Sequence, residues 1–175
     1  MQTLVDNLLL IAKSDAGHED LHKQQFFAHK LCLEIKSRFE AIAEKKKIEI
    51  RYTGKVSNIV LNADYQKLLQ LLSIVMDNAI KYSPEGKNID INLRKSDNKH
   101  AVIEIRDHGI GIESSEAENI FKRFYRTDKA RSRKEGGTGL GLAIAKQIAD
   151  AHEGTIEAES KKGYGTKIII TLPLE

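Results

Sequence analysis

The chain has 175 residues, of which 41% are apolar and 30% are charged, a composition typical of a globular domain rather than a disordered or fibrous chain. Its net charge of +3 is too small to indicate a nucleic-acid-binding protein, and without a run of 18 apolar residues the chain is not expected to span a membrane. The single cysteine, Cys32, excludes an intramolecular disulfide and a zinc site built from cysteines.

Helical periodicity dominates the first half of the chain. Apolar residues recur every three or four positions in three segments, which predicts helices over 2–14, 26–43 and 65–82. Asp64 is expected to cap the third of these helices. Alternating apolar residues predict two strands between the second and third helices, at 48–52 and 58–61.

The second half alternates strands and helices. In chain order we predict a hairpin of strands 89–93 and 101–105, a short helix over 115–125, an exposed loop over 126–138, a helix over 140–152, and a closing hairpin of 154–160 and 165–172. Paired strands separated by helices predict an α+β fold. We expect a two-layer α/β sandwich with helices on one face of a mixed sheet, preceded by a short N-terminal helix.

Two glycine clusters are the first candidates for a functional site. One follows a predicted strand at 107–112, and the other precedes a predicted helix at 136–142. Glycines let a backbone approach a ligand closely, and a helix N-terminus attracts anions. Either cluster alone would indicate only a tight turn, but two clusters with a basic segment between them favour a nucleotide pocket. Neither matches the Rossmann or P-loop pattern.

Charge is concentrated between the two clusters. Residues 122–134 contain seven basic residues and one acid, so this segment carries +6 and the rest of the chain −3.

On the predicted helix over 65–82, Asn78, Lys81 and Tyr82 lie within about one turn. An amide oxygen suits Mg²⁺, an ammonium suits a phosphate, and an aromatic ring suits a base.

The ordered set of motifs resembles the ATP-binding catalytic domain of bacterial sensor histidine kinases, within the wider gyrase, chaperone, kinase and mismatch-repair ATPase superfamily. The resemblance covers about residues 48–173. Its motifs are an N box at 77–82, a G1 box at 107–111, an F box at 120–126, a G2 box at 137–142 and a final glycine turn at 163–166.

The resemblance implies ATP and Mg²⁺ as ligands and assigns roles by position. Asp107 would accept a hydrogen bond from the adenine amine, Asn78 would coordinate Mg²⁺, and Lys81 and Arg126 would contact phosphates. Tyr82 would contact the base, and Gly109 and Gly111 would let the backbone approach it. Phe121, Phe124 and Tyr125 would anchor a lid. The other implied nucleotide-binding residues are Ile112, Phe124, Gly137, Thr138, Gly139, Leu140, Gly141 and Leu142.

The chain departs from the family pattern in two places. Ile74 stands where the kinases often have a second asparagine and where the ATP-hydrolysing relatives have a glutamate, so it argues against a self-sufficient ATPase. The family's phospho-accepting histidine is followed by an acid and soon after by a proline, and no histidine here has that context. We therefore expect a fragment, with 1–17 the remnant of a second dimerisation helix and 18–175 the ATP-binding catalytic domain.

The implied function is transfer of the γ-phosphate of Mg·ATP to a histidine on a dimerisation helix. The implied partners are the protein's own dimerisation and phosphotransfer helices, in a homodimer of the full-length protein, and a response regulator. Neither nucleic acid nor direct membrane contact of this segment is expected, and the implied location is the cytoplasm, with the full-length protein membrane-anchored. Two alternatives stay open: an anti-sigma-type serine kinase, or a nucleotide-binding module of the same fold with little or no catalysis.

Overall fold

The structure is a computed structural model, and it describes residues 21–55, 58–96, 99–126 and 138–174. The predicted helix over 2–14 and the proposed dimerisation remnant at 1–17 lie outside the described residues. The elements are β1 (Gln24–Phe27), α1 (Ala28–Lys45), β2 (Glu49–Tyr52), β3 (Val60–Ala63), α2 (Tyr65–Tyr82), β4 (Asn88–Lys95), β5 (His100–Asp107), α3 (Gly141–Ala151), β6 (Thr155–Lys161) and β7 (Gly165–Pro173).

Five strands form the mixed sheet that the sequence predicts. Their order is β2-β4-β5-β7-β6, with β2 parallel to β4 and every other pair antiparallel. Because side chains alternate between the two faces of a strand, each strand contributes apolar residues to one face. Ile91, Ile105 and Ile168 lie on that face, pair across three neighbouring strands, and are buried in the core.

The opposite face of the sheet is mainly polar. One cross-strand row consists entirely of charged residues, which are Arg51, Asp90, Arg106, Lys167 and Glu159. The helices α1, α2 and α3 bury their apolar stripes in the same core as the inner face of the sheet. The result is the predicted two-layer α/β sandwich. Among the described residues, no helix is long and apolar enough to cross a membrane.

The structure differs from the predictions at three places. The sequence did not predict β1, which pairs with β3 in a separate two-stranded sheet, and the strand expected at 58–61 is observed at Val60–Ala63. The helix predicted over 115–125 is wrong. That segment forms two 3₁₀ turns, at Ser114–Glu116 and Asn119–Phe121. Serine and asparagine compete for backbone hydrogen bonds, which favours short turns over a continuous helix.

Helix α2 begins and ends where the sequence predicts. The Oδ1 atom of Asp64 accepts a hydrogen bond from the backbone N–H of Lys67 at 3.1 Å, which is the expected N-cap. A buried histidine, His152, supports the same cap from the end of α3. Its Nε2 atom accepts from the backbone N–H of Asp64 at 3.0 Å, and its Nδ1–H donates to the carbonyl of Ile148 at 2.7 Å. Burial lowers the pKa of His152, because it removes the charged form of the ring from water.

Candidate functional site

A cavity of about 540 Å³ lies between α2, the end of β5 and the start of α3. Its volume is in the range of small-molecule sites, roughly 300–1,000 Å³. Helix α2 presents one face to it, because Gln70, Ile74, Asn78 and Lys81 follow one another at intervals of three or four residues. Asn78 and Lys81, the predicted metal and phosphate ligands on this helix, therefore face the same concave surface.

Asp107 is the buried acid of this cavity, with 8% of its surface exposed. Its Oδ1 atom accepts two backbone hydrogen bonds, from Gly109 at 2.8 Å and from Thr166 at 3.2 Å. Burial raises the pKa of Asp107, and these two bonds oppose that rise. Since both bonds go to Oδ1, the second oxygen is the acceptor that the described residues leave for a ligand.

The glycines after Asp107 serve packing between protein segments. Gly111 has a φ of +58°, and a Cβ atom there would clash with the carbonyl of Lys161 in the closing hairpin. A Cβ atom on Gly109 would similarly clash with the carbonyl of Tyr82 at the end of α2. Their approach to a base stays a prediction, and their close neighbours within the protein are backbone carbonyls.

The N-terminus of α3 forms another wall of the cavity. The side chain of the N-cap residue, Leu140, makes no capping hydrogen bond, although its own backbone N–H donates to the Oγ1 atom of Thr138 at 3.4 Å. Gly139 precedes it with a φ of +72°, and its carbonyl accepts from the backbone N–H of Phe124 at 2.9 Å. A helix N-terminus with unsatisfied N–H groups is a favourable place for phosphate.

Asn78 and Ile74 occupy adjacent turns of α2 in the cavity wall. The Nδ2 atom of Asn78 donates to the carbonyl of Ile74 at 3.0 Å, which leaves the amide oxygen as the atom available to a ligand. A Cβ atom on Gly141 would lie 3.3 Å from the Cγ2 atom of Ile74, so residue 74 faces the start of α3. Among the described residues, no group of three or more His, Cys, Asp or Glu side chains could hold a metal.

Most of the predicted binding residues meet at this cavity. Its lining includes Asn78, Lys81, Tyr82, Asp107, Gly111, Ile112, Arg126, Thr138, Gly139, Gly141 and Leu142. Three predicted residues do not line it: Gly109 packs against α2, Leu140 is fully buried in the core, and the Phe124 side chain is 62% exposed. The expected anchoring role of the Phe124 ring is therefore not supported by its position, whereas Phe121 does pack against the core. Gly137 lies outside the described residues.

Thr166 and Gln70 line the cavity although neither was predicted as a site residue. The glycine turn predicted at 163–166 could have indicated Thr166, because the strand that begins there pairs with β5 and brings Thr166 close to the end of β5. The signal for Gln70 was its spacing of eight residues from Asn78, which places both side chains on one face of α2.

The fold and the cavity together define a nucleotide-binding α/β domain, and the family model that matches the chain names this class more closely. Residues 63–175 match the model of the histidine kinase-, DNA gyrase B-, and HSP90-like ATPases. The chain belongs to this family, as the motifs indicated.

Curated relatives carry the names of sensor kinases. The chain is 38% identical over 174 residues to sensor histidine kinase WalK of Bacillus subtilis (strain 168), a match that covers 99% of this chain and 28% of the relative. It is 41% identical over 176 residues to sensor protein kinase WalK of Staphylococcus aureus, covering 100% of this chain and 42% of the relative. The chain thus spans less than half the length of either relative.

Solved structures share the fold. Full-length ShkA in complex with AMPPNP matches with a TM-score of 0.88 at 24% identity, over 98% of this chain and 35% of ShkA. The catalytic domain of histidine kinase ThkA matches with a TM-score of 0.76 at 25% identity, over 87% of this chain and 95% of that domain. The second match covers nearly the whole of that catalytic domain.

Proposed function

We propose that this chain is the ATP-binding catalytic domain of a two-component sensor histidine kinase. In this role it binds Mg·ATP and transfers the γ-phosphate to a histidine on a dimerisation helix. The observation that carries the proposal is the buried Asp107, which keeps one acceptor oxygen at the wall of a 540 Å³ cavity. The names of the curated relatives favour this function over a serine kinase or a non-catalytic module.

Asp107 is proposed to select adenine. The exocyclic amine of adenine is a hydrogen-bond donor, and the free carboxylate oxygen of Asp107 is an acceptor. Guanine carries a carbonyl at the same ring position, so its lone pairs would face those of the carboxylate. The apolar lining formed by Ile105, Ile110 and Ile168 suits the faces of a purine ring.

The phosphates are proposed to lie between the start of α3 and two cationic side chains. Lys81 and Arg126 both line the cavity, and the uncapped N-terminus of α3 adds backbone donors. The ammonium of Lys81 lies 5.6 Å from the ring centroid of Tyr82, which places charge and ring side by side. Together these groups would orient the triphosphate and stabilise its charge.

The residues present fit a Mg²⁺ ion that is held mainly by the nucleotide. Asn78 offers one amide oxygen, Ile74 offers none, and Mg²⁺ commonly takes few protein ligands together with phosphate oxygens and waters. When bound, the ion neutralises charge on the β- and γ-phosphate oxygens. The proposed task of Asn78 is to fix the position of that ion relative to Lys81.

The chemical step is an in-line displacement at the γ-phosphorus. A ring nitrogen of the acceptor histidine forms the new N–P bond, the bond to the β–γ bridging oxygen breaks, and ADP leaves. The imidazole proton passes to a base that lies with the acceptor helix rather than among the described residues. The contribution of the cavity is positioning and charge stabilisation, since no side chain forms a covalent intermediate.

The remaining assignments follow from this role. We propose that 1–17 belongs to a second dimerisation helix and 18–175 is the catalytic domain. The full-length protein would be a membrane-anchored homodimer with this domain in the cytoplasm, and a response regulator would receive the phosphate. The sensor kinase names of the relatives support a response regulator as the partner. Nucleic acid is not a proposed partner.

Calorimetric titration with ATP, with and without Mg²⁺, tests the binding half of the proposal. We expect ATP to bind in both conditions and more tightly with Mg²⁺. Labelled ATP supplied together with an acceptor helix then tests the transfer half. Intact ATP binding without any label on the histidine would refute the kinase assignment.

A further inference from the structure

Ser160, near the end of β6, connects three segments around the cavity. Its hydroxyl oxygen lies 2.9 Å from the backbone nitrogen of Ile112, 2.9 Å from the carbonyl oxygen of Gly165, and 2.9 Å from the hydroxyl oxygen of Thr166. A hydroxyl has one proton to donate and two lone pairs to accept with. These three neighbours therefore use its full hydrogen-bonding capacity.

The three contacts together allow only one arrangement of protons. The carbonyl of Gly165 can only accept, so the Ser160 proton points to it, and the N–H of Ile112 can only donate, so it takes one lone pair. Ser160 then has only a lone pair to offer Thr166. The hydroxyl proton of Thr166 must therefore point to Ser160, although the distance alone does not assign the donor.

This arrangement fixes the hydrogen-bonding character of the cavity wall. Thr166 lines the cavity, and its backbone N–H donates to the Oδ1 atom of Asp107 at 3.2 Å. Since the hydroxyl proton of Thr166 is committed to Ser160, the cavity meets only lone pairs on that hydroxyl. The free oxygen of Asp107 is also an acceptor, so the two residues form a wall of acceptors.

We propose that Ser160 is a specificity-determining positioning residue, which rests on the proposed binding of ATP. It lines no part of the nucleotide cavity, yet it holds Thr166 as an acceptor and thereby disfavours 6-oxopurines. Without the Ser160 hydroxyl, the Thr166 hydroxyl can rotate and donate its proton to an oxygen at position 6 of a purine. Discrimination between 6-aminopurines and 6-oxopurines should then fall.

The test compares the dissociation constants of ATP and inosine triphosphate for Ser160→Ala, measured by calorimetry. A neutral hydrogen bond contributes enough to change a binding ratio by about threefold to tenfold. We expect the preference for ATP over inosine triphosphate to fall by that factor. Ser114→Ala is the matched control, because the Ser114 hydroxyl joins the same loop and hairpin through the Ser160 carbonyl, at 3.1 Å, without touching Thr166. Its preference should equal that of the wild type.

Thr166→Val tests whether Ser160 influences nucleotide preference through Thr166. This variant should lose part of the discrimination, because valine offers neither lone pairs nor a proton, and adding Ser160→Ala to it should change nothing further. Ser160→Thr keeps a hydroxyl and should keep the wild-type preference, which also covers the case in which Ser160→Ala does not fold. Equal weakening of both nucleotides in Ser160→Ala, or an equal effect of that change with and without Thr166, would overturn the inference. Failure of the wild type to bind ATP at all would instead overturn the proposed function on which it rests.

Discussion

The substitution Asp107→Asn tests the adenine assignment with little change in shape. Asparagine keeps an oxygen for the two backbone donors, the N–H groups of Gly109 and Thr166 at 2.8 and 3.2 Å. Those donors also prevent the amide from flipping, because they would otherwise face its NH₂ group. The atom left for the ligand changes from a carboxylate oxygen to an NH₂ group, which can only donate.

The expected loss can be estimated from this single exchanged atom. A hydrogen bond to a charged group contributes about 1.5–3 kcal/mol, and each 1.4 kcal/mol is about a factor of ten in affinity. The dissociation constant of ATP should therefore rise by about tenfold to a hundredfold. Inosine triphosphate, whose position-6 oxygen can accept from the new NH₂ group, should lose much less.

Calorimetric titration of both nucleotides, with melting curves to confirm folding, is the appropriate assay. Asp150→Asn is a matched control, since Asp150 is an exposed carboxylate on α3 that forms a surface ion pair with Lys146. It should bind ATP as the wild type does. An unchanged affinity for ATP in Asp107→Asn would refute the adenine assignment.

Three further predictions concern the metal, the helix cap and pH. Asn78→Ala should remove the Mg²⁺-dependence of ATP affinity in calorimetry; a persistent dependence would place the metal elsewhere. Asp64→Ala should lower the free energy of unfolding in urea by about 1–2 kcal/mol, through loss of the α2 cap; an unchanged urea midpoint would count against the cap. Burial lowers the pKa of His152 in the folded chain. As the pH falls, the His152 ring is therefore protonated in the unfolded chain, near pH 6.5, before it is protonated in the folded chain. Stability should be full above that pH and fall as the pH drops through the folded-state pKa, and His152→Gln should abolish this slope in pH-dependent melting.

The parts of the fold that sequence reasoning predicted are those set by local chemistry. Helix α2 was predicted with its observed bounds, because Asp64 caps its start and the turn at 83–86 ends it. The antiparallel pairs β4–β5 and β6–β7 were predicted for the same reason, since each joins neighbours in sequence. The order of all five strands depends on pairing between distant segments, and periodicity carries no information about that.

Strand β1 shows where periodicity fails. Gln24 and Gln25 are exposed and polar, and the strand pairs with β3 in a two-stranded sheet outside the main one. A short strand with little apolar burial has no alternating pattern to recognise. Its pairing with residues some 36 positions further along the chain is visible only in three dimensions.

The sequence predicted most of the residues that form the candidate site, but only part of their arrangement. Motif order identified Asp107 and Asn78, and both line the cavity. The approach of Gly111 to a base stays a prediction, and the structure adds a close contact that the sequence did not indicate, with the carbonyl of Lys161. The link from Ser160 to Thr166 was not foreseen, because a serine in a strand has no sequence signature until its hydroxyl is placed.

Phosphoryl transfer in trans tests the central claim most directly. The chain would be incubated with Mg²⁺, γ-labelled ATP and the separately produced dimerisation helices of a sensor histidine kinase relative. We predict label on the acceptor histidine, and its loss in Asn78→Ala and Asp107→Asn but not in Asp150→Asn. A chain that binds Mg·ATP normally and still leaves the histidine unlabelled would contradict the account.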